Sequence, residues 1–323
     1  MSLRSRLVAV LAVVAGVGLV FACGSDAGDS DFGSSGGASG GASNGSSGTS
    51  GGFGSSGTSN GSSGTSGVDA NPANCKAPVD MFIAFDRSGS MGDDCTIGQN
   101  TNSKWCRAVN ALSGYLNSQG SKDQAAALQF FPLETQTDAL CNTGDQYNVA
   151  RHPATGYEAL PSNAFDSILN TEKPNGGGNN KGTPTEAAIR GMNRFTEANR
   201  RGGRVTIGIL ITDGNPNGCN QDLDDLADLL KAHNTATQVR TYVIGMTGAD
   251  FQNLERIAKG GGAPTHPDNV PGVPNACGSV NPPCTFWNVG DGEPAAFEAA
   301  LKAIQQSADG CNPDGGGFVN PVN

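Results

Sequence analysis

Arg204-Val205-Thr206-Ile207-Gly208-Ile209-Leu210-Ile211-Thr212 is the clearest strand in the chain, and it closes on Asp213-Gly214. A short apolar, β-branched run that stops abruptly at turn residues reads as a strand lying in a core. Upstream, Thr185 to Asn199 has helical propensity and periodicity. Downstream, Leu223 to His233 is amphipathic, with an acidic first turn as a helix dipole favours. The same alternation continues in both directions. Val79 to Phe85 (Val-Asp-Met-Phe-Ile-Ala-Phe) reads as a buried central strand ending in Asp86, Arg107 to Leu116 as a helix, and Ala125 to Phe131 as a strand, with a weaker strand expected near Tyr147 to Arg151. Toward the carboxyl terminus come a strand at Val239 to Ile244, a short helix at Phe251 to Ala258, a strand at Thr285 to Val289 and a helix at Pro294 to Gln306. Strands alternating with helices predict an α/β fold: a doubly wound, mostly parallel sheet flanked by helices on both faces.

Composition separates this domain from what precedes it. The 323 residues include 48 Gly, roughly twice average usage of about 7%. Of these, 16 fall with 15 Ser among the 44 residues from Gly24 to Gly67, a stretch too polar to bury a core. Gly-Ser-Ser-Gly-Thr-Ser occurs there three times, starting at Gly45, Gly54 and Gly61. A flexible coil of this length reaches about 35 to 40 Å, enough for a tether. Before it, Arg4 and Arg6 precede an apolar run from Leu7 to Phe21, the pattern of an export signal and too short for a membrane span of about 20 residues. Val20-Phe21-Ala22-Cys23 resembles a bacterial lipoprotein box, which implies a leader at 1–22, a lipidated Cys23 opening a linker over 23–67, and a domain over 68–323. It also implies a bacterial cell-envelope location, lipid-anchored in the outer membrane or on a periplasmic or extracellular face, with that lipid as the only membrane contact. The formal charge of -10 argues against nucleic acid as a partner.

In an open α/β sheet, ligands bind beyond the carboxyl ends of the strands, where strand order reverses. Three segments there are rich in oxygen: Asp86-Arg87-Ser88-Gly89-Ser90 after the first strand, Gly182-Thr183-Pro184-Thr185 before a helix, and Asp213-Gly214 after the long strand. Asp-x-Ser-x-Ser on its own reads equally as a hydrogen-bonded turn or helix cap. Converging, Asp86, Ser88, Ser90, Thr183 and Asp213 would make a hard, oxygen-only site for Mg2+ first, with Mn2+ or Ca2+ as alternatives.

In that order and combination the segments resemble a von Willebrand factor type A (vWA) domain carrying a metal ion-dependent adhesion site, over roughly Pro78 to Ser307. The resemblance implies that Ser88, Ser90 and Thr183 hold the metal directly or through water, that Asp86 and Asp213 often act through bridging waters, and that a protein partner supplies a carboxylate to an open position. It implies a metal-dependent adhesion or protein-binding module. The alternative is an envelope structural or assembly component that uses the scaffold without metal-dependent binding. Polar inserts at Gly92 to Lys104 and Asn175 to Lys181 are expected on the binding face, and a Pro/Gly-rich insert spans Gly260 to Pro283. With Cys23 lipidated, eight of the nine cysteines remain. The close chain ends of such domains suggest Cys75–Cys311, short separations suggest Cys95–Cys106 and Cys277–Cys284, and Cys141–Cys219 is left.

An enzyme is not expected. His152, His233 and His266 are the only histidines, and none lies in a metalloprotease or nucleophile-elbow pattern. His233 reads as a helix-end cap and the other two as exposed. Asp222, Asp224 and Asp225 read as an acidic helix start.

Overall fold

The computed structural model describes residues 77–174 and 181–308. The expected leader, Cys23, the tether, Cys75, Cys311 and all but the last residue of the Asn175 to Lys181 insert lie outside them. Six strands form one sheet: β1 (Val79–Asp86), β2 (Ala125–Phe131), β3 (Glu158–Ala159), β4 (Val205–Thr212), β5 (Arg240–Gly245) and β6 (Trp287–Asn288). Their spatial order is β3-β2-β1-β4-β5-β6, and only β3 runs antiparallel. Among the described residues, seven α-helices accompany them: α1 (Lys104–Asn117), α2 (Asp138–Thr143), α3 (Ala164–Thr171), α4 (Thr185–Ala198), α5 (Leu223–Thr237), α6 (Phe251–Gly260) and α7 (Pro294–Ala308).

Strand alternation divides the core into two layers. Val79, Met81, Ile83 and Phe85 of β1 and Ile207, Ile209 and Ile211 of β4 face one cluster, built with Trp105, Leu112 and Tyr115 of α1 and Leu301 and Ile304 of α7. Phe82, Ala84 and Leu210 face the other, with Ile189, Met192 and Phe195 of α4, Leu226 and Leu230 of α5, and Leu254 and Ile257 of α6. Every residue of β1 and β2 is buried. That is why both strands read as continuous apolar runs rather than as alternating ones. Each large side chain so buried contributes about 1.5–3 kcal/mol.

Helix starts follow their caps. Ser103 accepts from Cys106 N at the head of α1, which therefore begins at Lys104, three residues before the expected start. Asp222 accepts from Asp224 N and Asp225 N at the head of α5. Asp224 also pairs with Arg256, so this acidic trio is accounted for by capping and surface pairing.

The weak strand expected near Tyr147 to Arg151 is not one. Those residues turn, and their backbone reaches β2 where Arg151 N donates to the Leu128 carbonyl beside an isolated Leu128–His152 bridge. The Gln129 side chain takes the Gln146 and Val149 carbonyls that a ladder would need. The edge pairing falls instead to β3, opposite Ala125 and Ala126. Helices α2 and α3 were not expected.

The disulfides Cys95–Cys106, Cys141–Cys219 and Cys277–Cys284 form as expected. No helix among the described residues is long and apolar enough to cross a membrane.

Candidate metal centre

The chain runs from β1 out to β2 on one side and returns to β4 on the other, so strand order reverses between β1 and β4. Phe85 is in register with Ile211, which places Asp86 beside Thr212 and Asp213 at the carboxyl edge of the sheet. This is the crevice where doubly wound sheets bind ligands.

The turn after β1 sorts its residues by alternation. Asp86 Oδ1 accepts from Ser88 N at 2.7 Å, folding the turn back on itself. Ser88 Oγ lies 3.0 Å from Ser90 Oγ, and Ser90 Oγ donates to Asp213 Oδ1 at 2.8 Å. Arg87 points the other way, donating from Nε to the Pro132 carbonyl at 2.8 Å and from Nη1 to Glu172 at 2.6 Å. Thr183 arrives from the loop before α4. A methyl group built on Gly214 would lie 3.1 Å from Thr183 Oγ1 and 3.8 Å from Ser90 Oγ, so Gly214 floors the gap between the two hydroxyls. The structure thus brings all five expected residues together.

Two buried carboxylates on β1 show how differently the strand's ends are treated. Asp80, fully buried at the amino end, accepts from Arg201 Nε at 2.7 Å and from Arg204 Nε at 2.5 Å. Asp86, equally buried, receives the Ser88 amide and the Thr212 hydroxyl, the latter at 2.5 Å, and no cationic side chain bonds to it among the described residues. Burial, and then the nearby charge of Asp213, raise the Asp86 pKa from 3.8 to about 7, against the lowering effect of the Thr212 and Ser88 hydrogen bonds. A buried carboxylate left without a cation is costly, and a divalent ion would supply the missing charge. The donor set is all oxygen and suits Mg2+, Mn2+ or Ca2+. Ser90 is exposed, so the centre opens to solvent.

Two contributors escaped the sequence reading. Thr212 read only as the end of a strand, yet its hydroxyl donates to Asp86 and accepts from Gly214 N at 3.1 Å. Lys104 read as the last residue of a polar insert, yet its ammonium pairs with Asp213 Oδ2. No motif marks either; both depend on packing that spacing does not encode.

The histidines stand apart from the centre, and not as expected. His233 lies one turn before the end of α5, where it is buried with Nε2 3.0 Å from Thr196 Oγ1. Burial lowers its pKa, so it is not the charged helix cap expected. His266 is buried and stacked on Trp287 at 3.8 Å, and His152 packs edge-on against Phe165. His266 also lies close to Cys277 and Cys284, but those sulfurs are bonded to each other and offer no thiolate.

The sequence matches the von Willebrand factor type A domain over residues 80–271, more than half of the chain. The chain belongs to the vWA domain family. vWA domains are protein-interaction modules, and many bind a divalent metal. No curated protein matches the sequence. Two structures of proximal thread matrix protein 1 from the mussel byssus are similar to the chain at 14% identity, with TM-scores of 0.39 and 0.37. Each comparison covers 73% of this chain and 49% or 48% of the other, so the vWA chain spans about half the length of those structures.

The Gly214 geometry gives a direct test of the centre. Gly214→Ala should weaken Mn2+ binding about tenfold or more, because its methyl group crowds Thr183 Oγ1. The melting temperature should stay within a few degrees of wild type, since Gly214 is only half-buried and its φ is not positive. Calorimetric Mn2+ titration beside a thermal melt checks both halves. Unchanged affinity would remove Gly214 from the centre.

Proposed function

We propose that this vWA domain is a metal-dependent, adhesion-type protein-binding module. A divalent ion, Mg2+ first, would be held by Ser88, Ser90 and Thr183 with Asp86 and Asp213 behind them, and would accept a carboxylate from the partner. The observation that carries the reading is the contrast along β1: Asp80 has two guanidinium partners, while Asp86, just as buried, has none among the described residues and sits beside hydroxyls. An ion whose nearest protein ligands are mainly neutral oxygens keeps enough Lewis acidity to attract an Asp or Glu. We read the centre as a binding site rather than a catalytic one, since an open position on the ion suits a carboxylate from a partner.

The same proposal places the domain in the bacterial cell envelope, tethered by the linker over 23–67 to a lipid on Cys23. Partner capture from cross-linked envelopes in Mg2+ should disappear in EDTA and in Asp213→Ala. Capture that persists in both, with the variant still folded, favours the second reading, an envelope structural component that does not use the metal.

A further inference from the structure

Lys104 occupies an unusually defined position for a lysine. Ser103 caps the helix that Lys104 begins, and the next residue, Trp105, is fully buried and stacked on Phe85 at 4.8 Å. The first turn of α1 is thereby fixed above the ends of β1 and β4. From there the Lys104 ammonium pairs with Asp213 Oδ2 and donates to the Thr247 carbonyl at 2.9 Å. Gly248, at φ +113°, leaves the room it needs, since a side chain there would begin 3.1 Å from Nζ. The Asp213 side chain is 0% exposed and that of Lys104 is 20% exposed, so this pair lacks the solvent screening that weakens surface salt bridges. Asp213 is engaged on both oxygens, with Ser90 on Oδ1 and Lys104 on Oδ2.

The consequence follows from counting charge. Asp86 and Asp213 give the centre two negative charges, and Lys104 returns one positive charge. A divalent ion then leaves the loaded centre with one net positive charge, which a partner's carboxylate neutralises. Without Lys104 the loaded centre is neutral, and the same carboxylate is drawn by the ion's Lewis acidity alone, without the added pull of a net positive charge.

Resting on the metal-centre reading above, we propose that Lys104 is a tethered counter-cation that trades metal affinity for affinity toward an acidic partner. It repels the incoming divalent ion and competes for Asp213, and once the ion is bound it lends the charge that draws in the carboxylate. This assigns Lys104 a positioning and specificity role, distinct from that of a metal ligand.

The test uses the full chain with Mn2+ as probe, in buffers with acetate or with chloride at matched ionic strength. Lys104→Gln keeps a donor for Thr247 but removes the charge, and Lys104→Arg keeps the charge. In chloride, Lys104→Gln should bind Mn2+ about tenfold more tightly than wild type, and Lys104→Arg about as wild type does. Acetate should raise the apparent Mn2+ affinity of wild type and Lys104→Arg, and do so less for Lys104→Gln. Mn2+ should also raise the melting temperature of Lys104→Gln by more than that of wild type, a reading that holds even if the metal-free variant is less stable. Equal or weaker Mn2+ binding by Lys104→Gln, beside a wild type that binds Mn2+ and loses it on Asp86→Ala, would overturn the role of Lys104 alone. If wild type binds no Mn2+, the metal-centre reading and the inference built on it fall together.

Discussion

Asp86→Asn is expected to stabilise the metal-free protein at pH 8 by as much as about 4 kcal/mol while abolishing its Mn2+ binding. The size follows from the shift of the Asp86 pKa from 3.8 to about 7, at about 1.36 kcal/mol per unit. The sign follows from which state holds the proton. Below about pH 4 the carboxyl is protonated both folded and unfolded, and it adds no pH dependence. Between about pH 4 and 7 the unfolded chain ionises while the folded one resists, so Asp86 makes the folded state progressively less stable as pH rises. Above about pH 7 both forms are ionised, and the full penalty remains. Asn keeps a carbonyl for the Ser88 amide and can donate to the Thr212 hydroxyl, which then turns to accept. The difference between variant and wild type should therefore grow from about pH 4 to pH 7 and then level off. Urea unfolding in EDTA across that range measures it. In excess Mn2+ the order should reverse, because only wild type gains binding energy in the folded state. A variant less stable than wild type at pH 8 in EDTA would show that Asp86 carries no such cost. A residue whose loss stabilises the protein but removes its ligand is retained for function.

Opening the Cys141–Cys219 bridge by the double change Cys141→Ser/Cys219→Ser should cost about 4 kcal/mol of stability. The bridge joins residues 78 apart, against 11 for Cys95–Cys106 and 7 for Cys277–Cys284, and closure of a longer loop restrains the unfolded chain more. In a domain of this size that corresponds to a melting temperature lower by about 10 °C. The effect should reach the metal centre as well. Cys219 lies in the loop that leaves Asp213, and in that loop Asn217 N donates to the Thr183 carbonyl at 2.8 Å. The bridge thus pins α2 to the segment that holds the threonine in place. Mn2+ affinity should fall severalfold in this variant and stay near wild type in Cys277→Ser/Cys284→Ser, whose bridge lies among the β6-side loops away from the three oxygen-rich segments. A melting temperature within about 2 °C of wild type would mean that the loop is held by its other contacts.

The parts of the fold that were legible are those where one physical rule dominates. β1, β2 and β4 were visible because both faces of a central parallel strand are covered, leaving an apolar run with sharp ends. α4 and α5 were visible because each is long enough to show its period. α2 and α3 span 6 and 8 residues, too few turns for a period to emerge. The Tyr147 to Arg151 segment misled because its apolar residues serve a packed turn, where Tyr147 is buried and its hydroxyl accepts from Leu133 N. The five oxygen-bearing residues of the centre were legible because each follows or precedes an element whose direction was already set. Lys104 was not, because its role depends on the rotation of α1, which the burial of Trp105 against Phe85 determines. His266 looked exposed from its Pro-rich surroundings, but that loop folds back so that its ring nitrogens face the Pro267 and Phe286 carbonyls in the interior.

The central place of β1 also has a mechanical meaning. The strand begins at Val79, at the pole of the sheet opposite the metal centre, and reaches Asp86 and the serine turn after a single uninterrupted run of about 26 Å. It is hydrogen-bonded along its length to β2 on one side and β4 on the other. With the proposed anchor upstream of Val79 and a partner held at the metal, tension would pass along one straight segment of covalent backbone, and two full ladders would have to slide before it could be drawn out. The domain would be loaded in shear, so that the hydrogen bonds of both ladders would share a pull on the leash rather than open one after another.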